Sequence, residues 1–148
     1  MRREPLQSRE ECIGGHHRAQ RRLDAVRGRD DVTLTGAVDD TRPYIAKAVV
    51  YVVPLRMGGG TRFKILEAAA MSKAMVSTSL GCEGFPVKNG QELLIADSPR
   101  EFADAVIALL RDPARRAELG AHARALANAY DWKNIIPKVE EIYVKREA

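Results

Sequence analysis

The residues best placed to do chemistry lie in residues 54–71, where three consecutive glycines separate an apolar run from a predicted helix. Glycine has no Cβ, so its backbone can come close to a ligand. The first N–H groups of a helix have no intrahelical acceptor, and the helix dipole favours negative charge at that end. This pattern is typical of an anion-binding site. The candidate residues are Gly58, Gly59, Gly60, Thr61, Arg62 and Lys64.

Glu67 is the carboxylate of the same segment, about two turns beyond the glycines. A carboxylate does not belong against a phosphate, but from this position it can accept hydrogen bonds from neighbouring hydroxyls. A diphosphate on the helix amides with a ribose on Glu67 would therefore use every part of the segment. The alternative is an ordinary strand-to-helix turn with Glu67 as a solvated helix residue. Neither the Walker pattern nor G-x-G-x-x-G is present, so the segment predicts neither a P-loop ATPase nor a nicotinamide enzyme.

The pattern Pro-Leu-Arg-x-Gly-Gly-Gly-Thr-Arg-x-Lys-Ile-Leu-Glu-Ala, residues 54–68, resembles the donor-site segment of family-four glycosyltransferases, which have the GT-B fold. Further pieces match in the same order along the chain. The resemblance covers about residues 32–146, most of the chain. The matching pieces are residues 32–40, 42–44, 76–78, 81–84, 90–94 and 130–132.

This resemblance implies the donor-binding C-terminal domain of a retaining glycosyltransferase that uses a UDP- or GDP-linked sugar. Amides of residues 60–62 would hold the diphosphate as it becomes the leaving group, and Glu67 would bind the ribose hydroxyls. Val38 would lie along the base, although residues 36–38 are equally compatible with a plain turn. Arg62 and Lys64 are either phosphate ligands or solvated helix cations. GT-B enzymes generally need no metal, and no cofactor is predicted.

The chain also departs from the family. Relatives usually carry two glutamates eight positions apart, and Gly59 stands where the first is expected. Ser72 and Lys73 stand where glycine and a helix-ending residue are usual. A second hypothesis is therefore a non-catalytic relic or binding module that no longer binds nucleotide. A sugar-nucleotide epimerase of the same architecture is a third, but no paired acidic residues support it.

In relatives the acceptor binds to an N-terminal domain, for which 148 residues leave no room. Catalysis needs the donor and the acceptor held together, so we expect little activity from this chain alone. The predicted partners are a nucleotide-sugar donor, an acceptor that is a glycan, a lipid-linked molecule or a small molecule, and an N-terminal glycosyltransferase domain.

Composition limits the remaining classes. No apolar run approaches the ~20 residues of a membrane span, and the N-terminus lacks the apolar stretch of a signal peptide. The two cysteines have neither metal nor disulfide spacing, which favours the cytoplasm, including the inner face of the membrane. The net charge is +4, and residues 1–30 hold eight arginines against five acidic residues. They lack the interleaved aromatic residues of a stacking surface, so a nucleic-acid partner is not predicted.

Alternating segments predict an α/β fold, a Rossmann-like parallel sheet flanked by helices as in the C-terminal half of a GT-B fold. The helix over residues 62–71 is expected to bury Phe63, Leu66 and Ala70 and to leave Glu67 outside that set. The predicted strands are residues 32–35, 49–53, 75–78 and 93–96, and the predicted helices are residues 41–47, 62–71, 98–111, one from Asp112-Pro113 and one capped by Asp131.

The beginning of the chain is atypical. A polar helix is expected around residues 17–27, but polar residues 9–12 replace the apolar strand that relatives have before the glycine pair 14–15. We therefore expect residues 1–31 to be a truncated or frame-altered segment, or one with a degenerate first strand. The nucleotide-sugar-binding domain is predicted over residues 32–148.

Overall fold

A computed structural model describes residues 29–144 of the chain. The chain divides into two compact units, residues 1–39 and 40–148, and each is considered by itself. The predicted helix at residues 17–27 and nearly all of the atypical segment 1–31 lie outside the described residues. The part played by residues 1–31 therefore stays a prediction.

The second unit alternates short strands and helices, as expected for an α/β domain. A 3₁₀ turn, Leu80–Cys82, follows the second strand. The strands are β1 Tyr51–Val53, β2 Met75–Ser77 and β3 Leu94–Ile95, and the helices are α1 Arg42–Lys47, α2 Phe63–Ala70, α3 Pro99–Arg111, α4 Pro113–Ala129 and α5 Trp132–Val144.

The three strands form one parallel sheet in the order β1-β2-β3. Tyr51 lies opposite Met75, and Val76 lies opposite Leu94. The predicted fold class is therefore confirmed, with each strand shorter than its apolar run. The strand predicted at residues 32–35 is wrong, because these residues join no ladder in the described part of the chain. A β-branched run favours extended backbone, but a strand also needs a neighbour for its N–H and C=O groups.

The central strand β2 is covered by helices on both faces. Met75 and Val76 are both fully buried and point to opposite faces, since side chains alternate along a strand. Met75 packs in one apolar cluster with residues of α2 and with Ala123 of α4. Val76 packs in a second cluster with Leu109 of α3 and with α4. Helix α4 therefore contributes to both halves of the core.

Helix α2 buries a different face from the predicted one. Ile65, Ala68 and Ala69 are fully buried, whereas Phe63 is 64% exposed. The predicted residues Leu66 and Ala70 are only half-buried, so that prediction was wrong. Both sets have helical spacing, and the alanine face allows the helix backbone to approach the sheet and α4 closely. Glu67 remains exposed with either face buried.

Three helices start at residues whose side chains cap them. Ser98 and Glu101 form the predicted capping box at the start of α3, with Pro99 in the first turn. The carboxylate of Asp112 accepts a hydrogen bond from the Arg115 N–H (2.8 Å) at the start of α4. Asp131 does the same for the Lys133 N–H (3.0 Å) in α5, which confirms its predicted capping role.

Helix α2 ends in a Schellman motif that uses the two unusual residues of this segment. Ser72 adopts a left-handed backbone with φ of +55°. The Ser72 N–H donates to the Ala69 carbonyl (2.9 Å), and the Lys73 N–H donates to the Ala68 carbonyl (3.0 Å). The Lys73 ammonium in turn donates to the carbonyls of Ala46 (2.6 Å) and Ala48 (3.0 Å) at the end of α1. Ser72 and Lys73 therefore satisfy carbonyl groups at the carboxyl ends of two helices.

Helix α5 carries apolar side chains at helical spacing that remain exposed. The largest exposure is at Trp132 (73%), Tyr143 (67%) and Ile142 (62%). Together with Ile136 and Val139 they form what we call the α5 apolar face. Within residues 29–144, no helix combines the length and apolarity that crossing a membrane requires.

Candidate functional site

The glycine loop, residues 58–60, lies between the carboxyl end of β1 and the start of α2. Gly58 has a φ of +123° and Gly60 has a φ of +86°, values that L-residues adopt only with strain. Gly59 has no positive φ, and a Cβ there would meet no atom within 4 Å. Only two of the three glycines are therefore required by the backbone.

Arg62 is buried beneath the glycine loop, with only 5% of its surface exposed. Its Nη1 donates to the carbonyls of Gly59 (2.8 Å) and Gly60 (3.0 Å), and its Nη2 donates to that of Gly58 (2.9 Å). Its Nε donates to the Leu80 carbonyl (3.0 Å). Nη2 also contacts the Glu83 carboxylate at 3.4 Å. A guanidinium has five N–H donors, and these five contacts engage all of them. The interpretation of Arg62 as a solvated helix cation is therefore wrong.

The first turn of α2 keeps donors available. The backbone N–H groups of Thr61, Arg62, Phe63 and Lys64 donate to no other residue within the described part of the chain. The Lys64 side chain is exposed and likewise has no partner among residues 29–144. Two cations that are alike in sequence thus differ in structure, and Lys64 is the one that is free to meet an anion.

The 3₁₀ turn Leu80–Cys82 supplies the far side of the Arg62 site. The Thr78 hydroxyl donates to the Leu55 carbonyl and accepts a hydrogen bond from the Gly81 N–H (3.0 Å). Gly81 is pressed against Ser77 so closely that an added Cβ would overlap its hydroxyl. This packing fixes the Leu80 carbonyl and hence the position of the guanidinium.

A cleft of about 840 Å³, which we call the loop cleft, opens beside the start of α2. Residues 60–63 line it, and most of the other lining residues are apolar. Two of its lining residues, Phe85 and Tyr130, contact each other edge to face, with ring centroids 5.3 Å apart. The size lies in the ordinary range of small-molecule sites. The other lining residues are Leu66, Glu83, Gly84, Trp132 and Ile135.

Glu67 lines a second, smaller cleft of about 320 Å³ with Arg124, Asn128 and Asp131. The two clefts adjoin and share Leu66 and Tyr130. The Glu67 carboxylate makes no hydrogen bond or ion pair with residues 29–144, so it is available to a ligand. Burial raises the pKa of the Tyr51 phenol, and the negative charge of Glu67 raises it further.

Val38, predicted to lie along the base, is half-buried and belongs to the unit of residues 1–39. The other predicted residues, 58–62, 64 and 67, all lie in the second unit. A contact between Val38 and a nucleotide base therefore stays a prediction.

Ser79 and Asp97 link the carboxyl ends of β2 and β3, where ligands bind in open parallel sheets. The Asp97 carboxylate accepts hydrogen bonds from the Ser79 N–H and hydroxyl, each at 2.8 Å. These bonds lower the pKa of Asp97, and the positive charge of Arg56 lowers it further. Sequence patterns missed this pair because its members are 18 residues apart.

The residues that line the loop cleft from beyond α2 were also missed as site residues. Segments 81–84 and 130–132 stood out only as matches to a family pattern. The available signals were Glu83 in the segment Gly81-Cys82-Glu83-Gly84 and the aromatic pair in 130–132. Their meeting with α2 depends on tertiary packing.

Comparisons with known proteins identify related chains. The model of a family described as Glycosyl transferases group 1 matches residues 4–112. An uncharacterized 44.6 kDa protein in the cps region of Klebsiella pneumoniae is 28% identical over 91 residues, which are 61% of this chain and 24% of that protein. The structure of sucrose-phosphate synthase from Thermosynechococcus elongatus matches with a TM-score of 0.72 and 24% identity. That match covers 87% of this chain and 33% of the synthase, so the chain spans a third or less of either relative.

Proposed function

Because this chain belongs to the group 1 glycosyl transferases and has the fold of the C-terminal half of a GT-B enzyme, we propose that it is the donor-binding domain of a retaining glycosyltransferase. The donor is a sugar linked to UDP or GDP. The observation that carries the proposal is the start of α2, where unpaired N–H groups and the free Lys64 adjoin a cleft of about 840 Å³.

The diphosphate of the donor binds at the N–H groups of Gly60, Thr61 and Arg62, with the Lys64 ammonium beside it. Helix N-termini attract anions through these unsatisfied donors and through the dipole. Negative charge grows on the diphosphate as the sugar leaves, and donors already in place stabilise that charge without reorganisation. The chain's own groups thereby support departure of the leaving group.

Glu67 accepts hydrogen bonds from the ribose hydroxyls. It lies four residues beyond Phe63, about 6 Å along the helix axis, and so within reach of a group attached to the bound diphosphate. Its carboxylate is exposed and lines the cleft that adjoins the loop cleft. Val38 stays the candidate for a contact with the base.

Turnover requires an N-terminal glycosyltransferase domain that brings the acceptor, which is a glycan, a lipid-linked molecule or a small molecule. Two observations support this requirement. The chain spans 24% and 33% of the relatives described above. The α5 apolar face is exposed in the chain by itself, and large apolar patches usually mark interaction surfaces. The cysteine usage supports a cytoplasmic location, including the inner face of the membrane.

The second candidate is a non-catalytic relic that keeps the fold without the nucleotide. Gly59 favours it, since the family's first glutamate is absent from a position that has room for a side chain. Ser72 and Lys73 no longer favour it, because both complete helix ends. The two candidates differ in one measurable property, which is nucleotide binding.

Calorimetric titration of the full chain with UDP and with GDP tests the proposal. We expect saturable binding of one of them and a loss of affinity of about tenfold to hundredfold in Glu67→Ala, because hydrogen bonds to a charged carboxylate contribute about 1.5–3 kcal/mol. The melting temperature should hardly change, since Glu67 is exposed and alanine is the better helix former.

The matched control is Glu140→Ala, which removes an exposed helical glutamate from α5. It should change neither the melting temperature nor the affinity. A folded protein that binds neither nucleotide supports the relic. Unaltered affinity in Glu67→Ala would remove Glu67 from the site.

A further inference from the structure

We propose that Arg62 is a positioning residue, which holds the carbonyl groups of the glycine loop inward so that the loop N–H groups face the diphosphate. This inference rests on the proposed function for its ligand. It assigns to Arg62 a role different from that of Lys64, its neighbour in the same turn.

The carbonyls of the glycine loop all point towards Arg62. The carbonyls of Gly58, Gly59 and Gly60 all lie within 3.0 Å of one guanidinium. Three successive carbonyls can point to one side only if the backbone departs from extended geometry. The positive φ values of Gly58 and Gly60 provide that departure.

The direction of the loop N–H groups follows from the planar trans peptide. In such a unit the N–H of one residue points opposite to the carbonyl of the residue before it. With three carbonyls turned towards Arg62, the N–H groups of Gly59, Gly60 and Thr61 are turned away from it. They have no acceptor within the described residues, so the outer surface of the loop presents three successive donors.

Every N–H donor of the Arg62 guanidinium already has an acceptor. Its planar fork meets acceptors on two sides, the glycine loop and the Leu80–Glu83 segment. A phosphate oxygen could contact this group only by displacing one of those acceptors. A lysine has its three donors on a single nitrogen and cannot span both sides.

Arg62 also places a positive charge behind the glycine loop. Arg62 is buried, while its acidic partner Glu83 has a side chain that is 68% exposed. The buried cation is held mainly by carbonyl dipoles, and its positive charge remains directly behind the outward N–H groups. An anion on the outer surface therefore experiences the charge of Arg62 without touching it.

The test compares Arg62→Lys with the control Lys64→Met in the full chain. Backbone ¹⁵N relaxation of ligand-free protein reports loop order. We expect order parameters at residues 58–61 near 0.85 in the wild type and in Lys64→Met, and below about 0.6 in Arg62→Lys. UDP should bind about tenfold to hundredfold more weakly to Arg62→Lys, whereas uridine, which has no phosphate, should bind as before. If the role of Arg62 were purely structural, Arg62→Lys would lower the melting temperature but would not weaken UDP binding more than uridine binding.

The wild-type protein provides a measurement that does not depend on a variant folding. The Arg62 Nε and Nη resonances should be visible as slowly exchanging signals. UDP should shift the amide signals of Gly59, Gly60 and Thr61 strongly and those of the Arg62 side chain little. Large Nη shifts, or a disordered wild-type loop, would overturn the positioning role.

Failure of this inference and failure of the proposed function are separable. If no nucleotide binds the wild type, the donor site fails while ligand-free relaxation still tests the ordering of the loop. If UDP binds and Arg62→Lys keeps both an ordered loop and full affinity, the donor site stands and the positioning role is wrong.

Discussion

Arg62 and Lys64 show how much the surroundings of a side chain decide its role. Both are cations at the start of one helix, where Arg62 is the N-cap residue and Lys64 lies in the first turn. One is enclosed by five acceptors, and the other is exposed without a partner in the described part of the chain. The glycines beside them differ in the same way, because Gly58 and Gly60 need positive φ and Gly59 does not.

At the residue scale we predict opposite outcomes for two alanine substitutions in the glycine loop. Gly60→Ala places a Cβ on a backbone with φ of +86° and should lower the free energy of unfolding by about 1–2 kcal/mol. It should also weaken UDP binding, since relief of the strain moves the N–H groups. Gly59→Ala should be neutral or stabilising by up to about 1 kcal/mol, because the site is open and alanine restricts the unfolded chain.

Urea unfolding and calorimetry on both variants provide the measurements. Equal effects of the two substitutions would contradict the distinction between the glycines. A loss of stability only in Gly59→Ala would show that the loop has a different backbone from the one described.

At the scale of elements, the contact between α4 and the end of α2 decides how closely the helices approach. A Cβ on Gly120 of α4 would overlap the Ser72 carbonyl oxygen. Ser72 completes the Schellman motif of α2, so the Ser72 backbone cannot move without loss of the cap. Glycine in the middle of a helix is therefore explained here by packing rather than by local preference.

We predict that Gly120→Ala lowers the melting temperature although alanine is the better helix former. Overpacking of this kind costs about 1–3 kcal/mol, which outweighs the gain of up to about 1 kcal/mol in helix propensity. Thermal unfolding checks the sign. The matched control is Ala125→Gly, an exposed site in the same helix, where propensity alone acts and should lower stability by about 1 kcal/mol. A more stable Gly120→Ala protein would mean that α2 and α4 are further apart than described.

At the scale of the whole molecule, the core of the second unit and the α5 apolar face differ in their exposure to solvent. Leu119 and Val76 are fully buried, whereas the apolar side chains of α5 remain open to solvent. Helix α5 therefore adds little burial to this fold, which is consistent with a role against a further domain.

We predict that the isolated chain binds the donor nucleotide yet transfers no sugar at a measurable rate, because catalysis needs a bound acceptor. A radiolabelled-sugar assay with and without an N-terminal glycosyltransferase domain measures this. Ile136→Gln and Ile142→Gln should leave the free energy of unfolding within about 0.5 kcal/mol and lower only the activity of the two-domain assembly.

The control Leu119→Ala removes a fully buried side chain and should cost about 2–5 kcal/mol. Transfer by the isolated chain at the rate of full-length relatives would contradict the requirement for a second domain. Strong destabilisation by Ile136→Gln would show that the α5 apolar face packs within this chain.

The structural features that the sequence predicts correctly are local ones. The capping box at Ser98, the helix starts at Asp112 and Asp131, and the alternation of strands and helices follow from interactions over a few residues, and all are found in the structure. The glycine loop and the family membership also depend on contiguous or ordered residues.

Other features of the protein depend on residues that are far apart in the chain. The buried face of α2 was mispredicted because two sets of apolar residues share the same helical spacing, and only the sheet and α4 select between them. The run at 32–35 has strand composition but no ladder in the described residues. Arg62 finds Leu80 and Glu83 across 18 and 21 residues, a closure that no local pattern encodes. Closing such a loop costs conformational entropy that only the packing of the whole fold offsets, and for this reason the role of Arg62 could be assigned only from the structure.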